Sequence, residues 1–223
     1  MKTGLQSELI SSIAVMIVMA IFFWYAGRKV KEADPMKKPK GVVLIVEIYA
    51  KFIYDYLRSL MPKKYEKNYY PYFAYLFLFL ILSNIWGLTG FDAPTSCYSI
   101  TLAMGLITFG LIQWNAIQYQ GLGPYIKGKL IPPTELLGMV SPLISLSMRL
   151  FCNILSGSFI MSLVYQFTSY LSNHLIPFNF LGPILAPVLH CYFDLFSGVI
   201  QALVFLTLST ILISIENPDE ENA

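Results

Sequence analysis

Apolar residues run in long blocks along this chain, separated by short polar or basic stretches. A bilayer core about 30 Å thick takes about 20 helical residues at 1.5 Å each, and the first block, Leu9–Ala26, has that length. The segment Val42–Leu60 is patterned differently. Val42, Ile45, Val46, Tyr49, Phe52, Ile53, Tyr56 and Leu60 recur at three- and four-residue spacing, with Glu47, Lys51, Asp55 and Arg58 mainly between them. That spacing predicts an amphipathic helix lying on the cytoplasmic membrane surface; a soluble helix docked on a partner is the alternative. Tyr69, Tyr70, Tyr72 and Tyr75 form an aromatic belt where the chain re-enters the bilayer. A second span, Pro71–Leu88, leads to a turn-rich loop, Gly87–Thr95. A third, Tyr98–Tyr119, leads to the loop Gly121–Thr134, which holds Lys127, Lys129 and three prolines.

The last two blocks, Leu136–Leu171 and Pro183–Ile215, flank a short loop with Asn173, His174 and Pro177. A helix over 136–171 would be about 54 Å long, far more than one perpendicular crossing, so strong tilt, a kink or a break is required. The expected fold is an all-α polytopic membrane protein. It has about five membrane-embedded helices, a surface amphipathic helix, and a C-terminal hairpin of two long tilted helices. Three parts follow: 1–68, 69–134 and 135–223, the last carrying the chemistry. No internal repeat of the kind common in secondary transporters is visible.

Charge placement sharpens this picture. Of 15 lysines and arginines, eleven fall between Arg28 and Lys67; Lys127 and Lys129 share one loop, and Lys2 sits at the start. Positive-inside counting puts both basic segments on one side, as two intervening spans require. The expected orientation has the N-terminus outside and the acidic tail Glu216–Ala223 in the cytoplasm. Met1–Glu8 is nearly neutral and the basic residues follow the first apolar run, which is the reverse of a cleavable signal. The start also lacks a basic, serine-rich leader. A bacterial plasma membrane is therefore expected ahead of a mitochondrial inner membrane. Over the 223 residues only 13% are charged and 56% hydrophobic, against about 25% charged in ordinary soluble domains. Cys97, Cys152 and Cys191 are odd in number and lack metal-like spacing, so they are expected to be packing residues. No metal, cofactor or nucleic-acid partner is expected.

One arginine remains, Arg149, alone inside an apolar stretch. A charge at a helix centre costs about 2.5–3.5 kcal/mol on insertion scales and so marks function. Ser141, Ser145, Arg149, Asn153 and Gly157 recur every four residues, which suggests a polar stripe on one face of the fourth span. His190, Asp194, Gly198 and Gln201 suggest another on the fifth, and two such stripes could wall a hydrated path. Arg149 cannot deprotonate, so it is either a fixed positive gate or an ion-pair anchor for Asp194. Asp194 can carry a proton, and His190 one turn away can relay one or simply pack. Gln201 could hydrogen-bond Arg149 or glue helices together. Glu135 could be a helix-dipole carboxylate or the mouth of a cytoplasmic path. Asp92 could be an entry point or a turn residue.

The run Ser145–Leu146–Ser147–Met148–Arg149–Leu150–Phe151–Cys152–Asn153–Ile154 resembles the signature of the subunit a family of F-type ATP synthases: an arginine, then leucine, then asparagine four residues on. Gln201 within Ile200–Gln201–Ala202–Leu203–Val204–Phe205 supports the resemblance. So does Asn84 with Gly87–Leu88 and Pro94–Thr95, similar to the family's second-span exit. It covers most of the chain from about residue 42 onward, in the same order. The resemblance implies a stator channel beside a rotating ring of c subunits, with peripheral stalk b subunits as partners and the catalytic head reached indirectly. Arg149 matches the family's essential arginine, facing the ring carboxylate, with Asn153 and Gln201 as polar neighbours. There are departures. Cys152 stands where a glycine-like residue is usual, Ser158 where many relatives have a carboxylate, and Asp194 where histidine is frequent. The expected reading is a carboxylate moved between helices, with Asp194 as the relay. Protons, with sodium ions as the alternative cargo, would then pass two offset half-channels: one by Asp92, Ser158, His190 and Asp194, the other by Ser141 and Glu135. No G-x-x-x-x-G-K loop occurs, so ATP chemistry falls to partner subunits. The competing class is a self-contained channel or secondary transporter gated by Arg149 and Asp194.

Overall fold

The computed structural model describes residues 7–33, 38–61, 63–121, 123, 133–175 and 181–215; at 63–67, 119, 120, 133–137, 139, 172–175 and 181 it describes the backbone alone. Helix α1 is Ser7–Glu32, α2 Val42–Leu60, α3 Lys63–Trp86, α4 Tyr98–Gln120 and α5 Pro133–Leu175. Then come α6, Leu181–His190, a π-helical turn over Cys191–Phe196, and α7, Ser197–Ile215. No strand occurs among the described residues. Five stretches are long and apolar enough to cross a membrane: Ser7–Glu32, Asn68–Thr89, Tyr98–Gln118, Val140–Leu171 and Gly182–Ile215. Their outer faces carry large apolar side chains such as Ile21, Trp24, Ile107, Trp114 and Phe167, all more than half exposed. In water such a surface would drive aggregation; in lipid it is the expected solvent-facing composition. The chain is an integral membrane protein with an all-α polytopic fold.

The helices extend past the apolar blocks that predict them. α1 continues through Arg28, Lys29 and Lys31, whose positive charges suit the negative end of the helix dipole. α3 begins before Pro71, so the tyrosine belt lies inside the helix and not ahead of it. α5 runs 43 residues with Pro142 inside it, about 64 Å at 1.5 Å per residue. The fifth block is helical throughout Leu181–Ile215, with a π turn over Cys191–Phe196 in its course and Pro187 within α6.

α1 and α3 lie antiparallel. Ser7 Oγ donates to Asp92 Oδ2 at 2.6 Å at one end, and the Phe23 and Tyr75 rings stack at 6.4 Å further along. The core joins buried side chains of several helices, including Val15 and Met19 of α1, Ile53 and Leu57 of α2, Phe73 and Leu80 of α3, Leu150 of α5 and Phe205 of α7.

α2 is amphipathic but does not lie apart from the bundle. Tyr49 OH donates to the Ala74 carbonyl of α3 at 2.5 Å, Tyr70 OH to the Ala50 carbonyl at 3.1 Å, and Tyr56 OH meets Thr207 Oγ1 of α7 at 2.5 Å. Its Tyr49 and Phe52 rings pack on Phe77. Ile45, Ile48 and Phe52 keep an exposed apolar strip beside this docked face. Burial pushes the Tyr49 phenol well above its ordinary pKa, with the neighbouring Tyr70 adding to the shift.

Two close crossings fix the helices around the chemistry. A Cβ on Gly105 of α4 would collide with Ser147 Oγ of α5, and one on Gly198 of α7 would sit 2.7 Å from Asn84 Cβ of α3. Glycine lets these backbones approach as small residues do at other membrane helix interfaces.

Candidate functional site

The polar series on α5 is not a straight stripe. At about 3.6 residues per turn, a four-residue step overshoots one full turn, so each member lies about 40° round from the last. The series spirals accordingly. Ser141, Ser145 and Arg149 are exposed on the outside of the chain. Asn153 is half-buried and accepts a 2.6 Å hydrogen bond at Oδ1 from Ser197 Oγ of α7. Gly157 is buried, where an added Cβ would lie 3.5 Å from Phe193 Cβ. One sequence pattern thus supplies two different surfaces.

Arg149 belongs to the outer surface. Its neighbours Leu146 and Leu150 are 3% and 1% exposed and anchor the helix in the core, while Arg149 itself turns outward. Among the described residues no ion pair joins it to Asp194 or to any other carboxylate. The anchor alternative is therefore not the arrangement found. Gln201 of α7 is 9% exposed, and among the described residues no hydrogen bond joins it to Arg149; its Nε2 is also without a partner.

Asp194 pairs instead with His190, one turn earlier: Nδ1 to Oδ2 is 2.7 Å. Both residues flank or occupy the π turn, the kind of helix defect that recurs at functional sites. They open into a cavity of about 170 Å³, large enough for several waters at about 30 Å³ each. Asp92 and Ser96 line it from the loop after α3, Asn84 from α3 itself, and Gly157, Ser158 and Met161 from α5. The structure therefore brings Asp92, Ser158, His190 and Asp194 together in one polar recess, though they come from three separate parts of the chain. The recess lies at the end of the bundle where α1 begins, since Asp92 is also held by Ser7.

Ser141 and Ser145 stand apart from the recess, on the outer face of α5 with Arg149. Glu135 falls in the first turn of α5, and its side chain lies outside the described residues; so do Lys127, Lys129, the Asn173 and His174 side chains, Pro177 and the tail. Among the described residues no three His, Cys, Asp or Glu side chains converge as a metal site would require. The cysteines are all free. Cys152 and Cys191 are exposed, so packing describes at most Cys97, which is half-buried.

Three participants escape the four-residue pattern as first read. Asn84 is 3% exposed, donates to the Gly198 carbonyl at 3.0 Å and accepts from Thr95 Oγ1 at 3.2 Å. It ties α3, α7 and the intervening loop beside the recess. Ser197 holds Asn153. Tyr165 reaches His190 Nε2 with its hydroxyl at 3.1 Å. The signal for Tyr165 was available, because 157, 161 and 165 continue the same four-residue series.

Comparison with known proteins gives a consistent answer. Residues 9–214 match the family described as ATP synthase A chain. A protein named ATP synthase subunit a from Mycoplasma genitalium is 32% identical, over 91% of this chain and 76% of its own length. A protein of the same name from Mycoplasma pneumoniae is 36% identical over 87% and 73%. One from Streptococcus agalactiae is 29% identical over 90% and 85%.

Proposed function

The chain belongs to the ATP synthase A chain family, and from that premise we propose that it is the ion-conducting stator subunit beside a rotating ring of c subunits. Membership places it in the membrane part of an ATP synthase, with ATP synthesis and ion transport as the processes it serves. The finer reading rests above all on one observation. Arg149 is exposed and has no counter-charge among the described residues, on a helix otherwise apolar enough to span.

A guanidinium turned outward at such a depth is costly against lipid. It is stable only where something polar covers that face, and a ring carboxylate is the natural partner. Arg149 then acts as a fixed positive charge that makes a passing carboxylate release its proton. It also separates two offset half-channels and so prevents a short circuit. The recess of Asp92, Ser158, His190 and Asp194 serves the external half-channel. His190 and Asp194 hand an ion to the ring site, which travels through lipid in its neutral form. The cytoplasmic half-channel runs by Ser141, Ser145 and Glu135. Asn153, held by Ser197, and Gln201 are the polar neighbours between the two.

Each charge crossing the membrane contributes about 2.3 kcal/mol per 100 mV. Several ions per ATP are therefore required, and a ring sums them. The N-terminus faces outside and the C-terminus the cytoplasm of a bacterial plasma membrane, with peripheral stalk b subunits holding the chain against rotation. Its part in ATP chemistry is indirect.

The test is ATP-driven ion pumping by membranes carrying Arg149→Ala beside wild type, with assembly read by immunoblot. Normal assembly with pumping abolished supports the reading. Unchanged pumping would mean that Arg149 serves only the helix it sits on, and the reading fails.

A further inference from the structure

We propose that the bend between α1 and α2 binds the phosphate of an anionic phospholipid headgroup. Lys29 and Glu32 of α1, then Lys38, Pro39 and Lys40 ahead of α2, line a cavity of about 640 Å³ there. It lies at the opposite end of α1 from the recess, since Asp92 is held by Ser7. The proposal is therefore independent of the stator reading.

The depth of the cavity points to a lipid. Trp24 is 61% exposed, and the Arg28 guanidinium lies over its ring at 4.2 Å; an outward tryptophan near the end of a span marks the headgroup level. Lys29 follows five residues later, about 7.5 Å along the helix. The polar layer on each side of a bilayer is about 5–7 Å deep. The cavity thus opens where phospholipid phosphates are the surrounding medium.

Its charge selects the lipid. Three lysines line it against one carboxylate, and Glu32 Oε2 is already met by Lys29 Nζ at 3.5 Å. Lys38 and Lys40 are exposed, and among the described residues neither meets a carboxylate. Half-buried Pro39 stands between them; its ring fixes one dihedral and restricts Lys38 before it, so the two ammonium groups come from a stiffened segment. Val43, the second residue of α2, also lines the cavity, and the first turn of that helix has neither a side-chain cap nor an acidic residue. The positive end of its dipole borders the same space. A zwitterionic headgroup would bring its own cation among these lysines. A phosphodiester carrying only uncharged glycerol does not, so phosphatidylglycerol-type lipids fit.

The test is native mass spectrometry of the purified full chain in detergent, titrated with dioleoylphosphatidylglycerol and separately with dioleoylphosphatidylcholine. The first phosphatidylglycerol is expected to bind at least about tenfold more tightly than phosphatidylcholine. Lys38→Gln with Lys40→Gln is expected to weaken it about 25-fold, about 5-fold for each basic residue beside an anionic lipid. Glu32→Gln is expected to tighten it about 5-fold, a gain that misfolding cannot produce. Lys51→Gln with Arg58→Gln takes the same charge from exposed positions of α2. Lys51 lies about 12 Å along the helix from Val43, beyond a Debye length of about 8 Å at 0.15 M salt, so this control is expected to change binding less than about twofold. An equal loss in the control overturns the proposal, because the attraction is then that of general surface charge. Equal binding of the two lipids, or unchanged binding after loss of Lys38 and Lys40, overturns it as well. Displacement of phosphatidylglycerol by millimolar inorganic phosphate assigns the cavity to a free anion and overturns the lipid as its occupant.

Discussion

Gly198→Ala adds one methyl at the crossing of α7 and α3, and its cost can be worked from the local geometry. The new Cβ would lie 2.7 Å from Asn84 Cβ, 3.1 Å from Cγ and 3.2 Å from Nδ2. The closest atom is the root of the side chain, so no rotamer of Asn84 moves it away; the backbones must separate. Overpacking of this kind costs about 1–3 kcal/mol. Separation also stretches the 3.0 Å bond from Asn84 Nδ2 to the Gly198 carbonyl, and an orphaned buried amide costs about 1–3 kcal/mol. Alanine returns about 0.5–1 kcal/mol in helix propensity. The expected net loss is therefore about 1–5 kcal/mol. The assay is thermal inactivation of the detergent-solubilised complex, with accumulation of the chain followed by immunoblot. Gly110→Ala is the control, because nothing lies within 4 Å of a Cβ there. Removing the opposing Cβ by Asn84→Gly is expected to restore packing in the Gly198→Ala background, whereas Asn84→Ala is not. The reasoning is refuted if Gly198→Ala is as stable as Gly110→Ala, or if Asn84→Ala rescues it equally well.

Two further outcomes are expected. Tyr49→Phe removes the bond to the Ala74 carbonyl and is expected to loosen α2 by about 1 kcal/mol, seen as faster proteolysis at 38–61. Because burial raises the Tyr49 pKa in the folded state, its contribution is full below the unfolded value of about 10 and is lost as pH rises above it; the variant should show a shallower alkaline loss of stability. Inserting one alanine between Phe196, the last residue of the π turn, and Ser197 is expected to turn His190 and Asp194 about 100° relative to α7. Pumping should then fall at least tenfold with the chain still inserted, and pumping at the wild-type rate would show that the turn does not aim them.

The fold was legible because the bilayer imposes a simple rule. Every backbone group in lipid must be satisfied within a helix or a closed barrel, so block length alone locates spans. α4 begins at Tyr98 as expected and ends one residue beyond the expected Tyr119. Errors gather where helix and apolar block are different things. α1 runs on through Arg28–Lys31, since a helix end needs no apolar side chains once it leaves lipid. α2 presents a charged face and an apolar one whether it rests on headgroups or on α3, and a periodicity does not say which neighbour the apolar face has. Tyr49, Tyr56 and Tyr70 dock part of α2 on the bundle, their hydroxyls reaching carbonyl or hydroxyl oxygens on neighbouring helices, while the exposed apolar strip of Ile45, Ile48 and Phe52 leaves the surface-helix expectation standing.

At the site, the chemistry was legible and its phase was not. Isolated polar residues in apolar helices announce themselves by their cost, which is why Arg149, Asp194 and His190 stand out from composition. Their relative directions depend on a running angle. On α5 a drift of about 40° per four residues accumulates to about 160° from Ser141 to Gly157, enough to move the series from the outer face to the hairpin interior. On the last span the π turn changes the count again. In a regular helix His190 and Gln201, eleven residues apart, would lie within about 20° of one another. The wider turn over Cys191–Phe196 removes that alignment. His190 opens into the recess beside Asp92 and Ser158, while Gln201 is buried elsewhere in the bundle. The residues that the four-residue pattern groups as one wall thus belong to two environments, and Arg149 faces neither. Among the described residues Arg149 meets no carboxylate, and Asp194 in the recess is already paired with His190; the proposed fixed gate rests on that arrangement, because the charge to meet Arg149 would then be supplied from outside the chain.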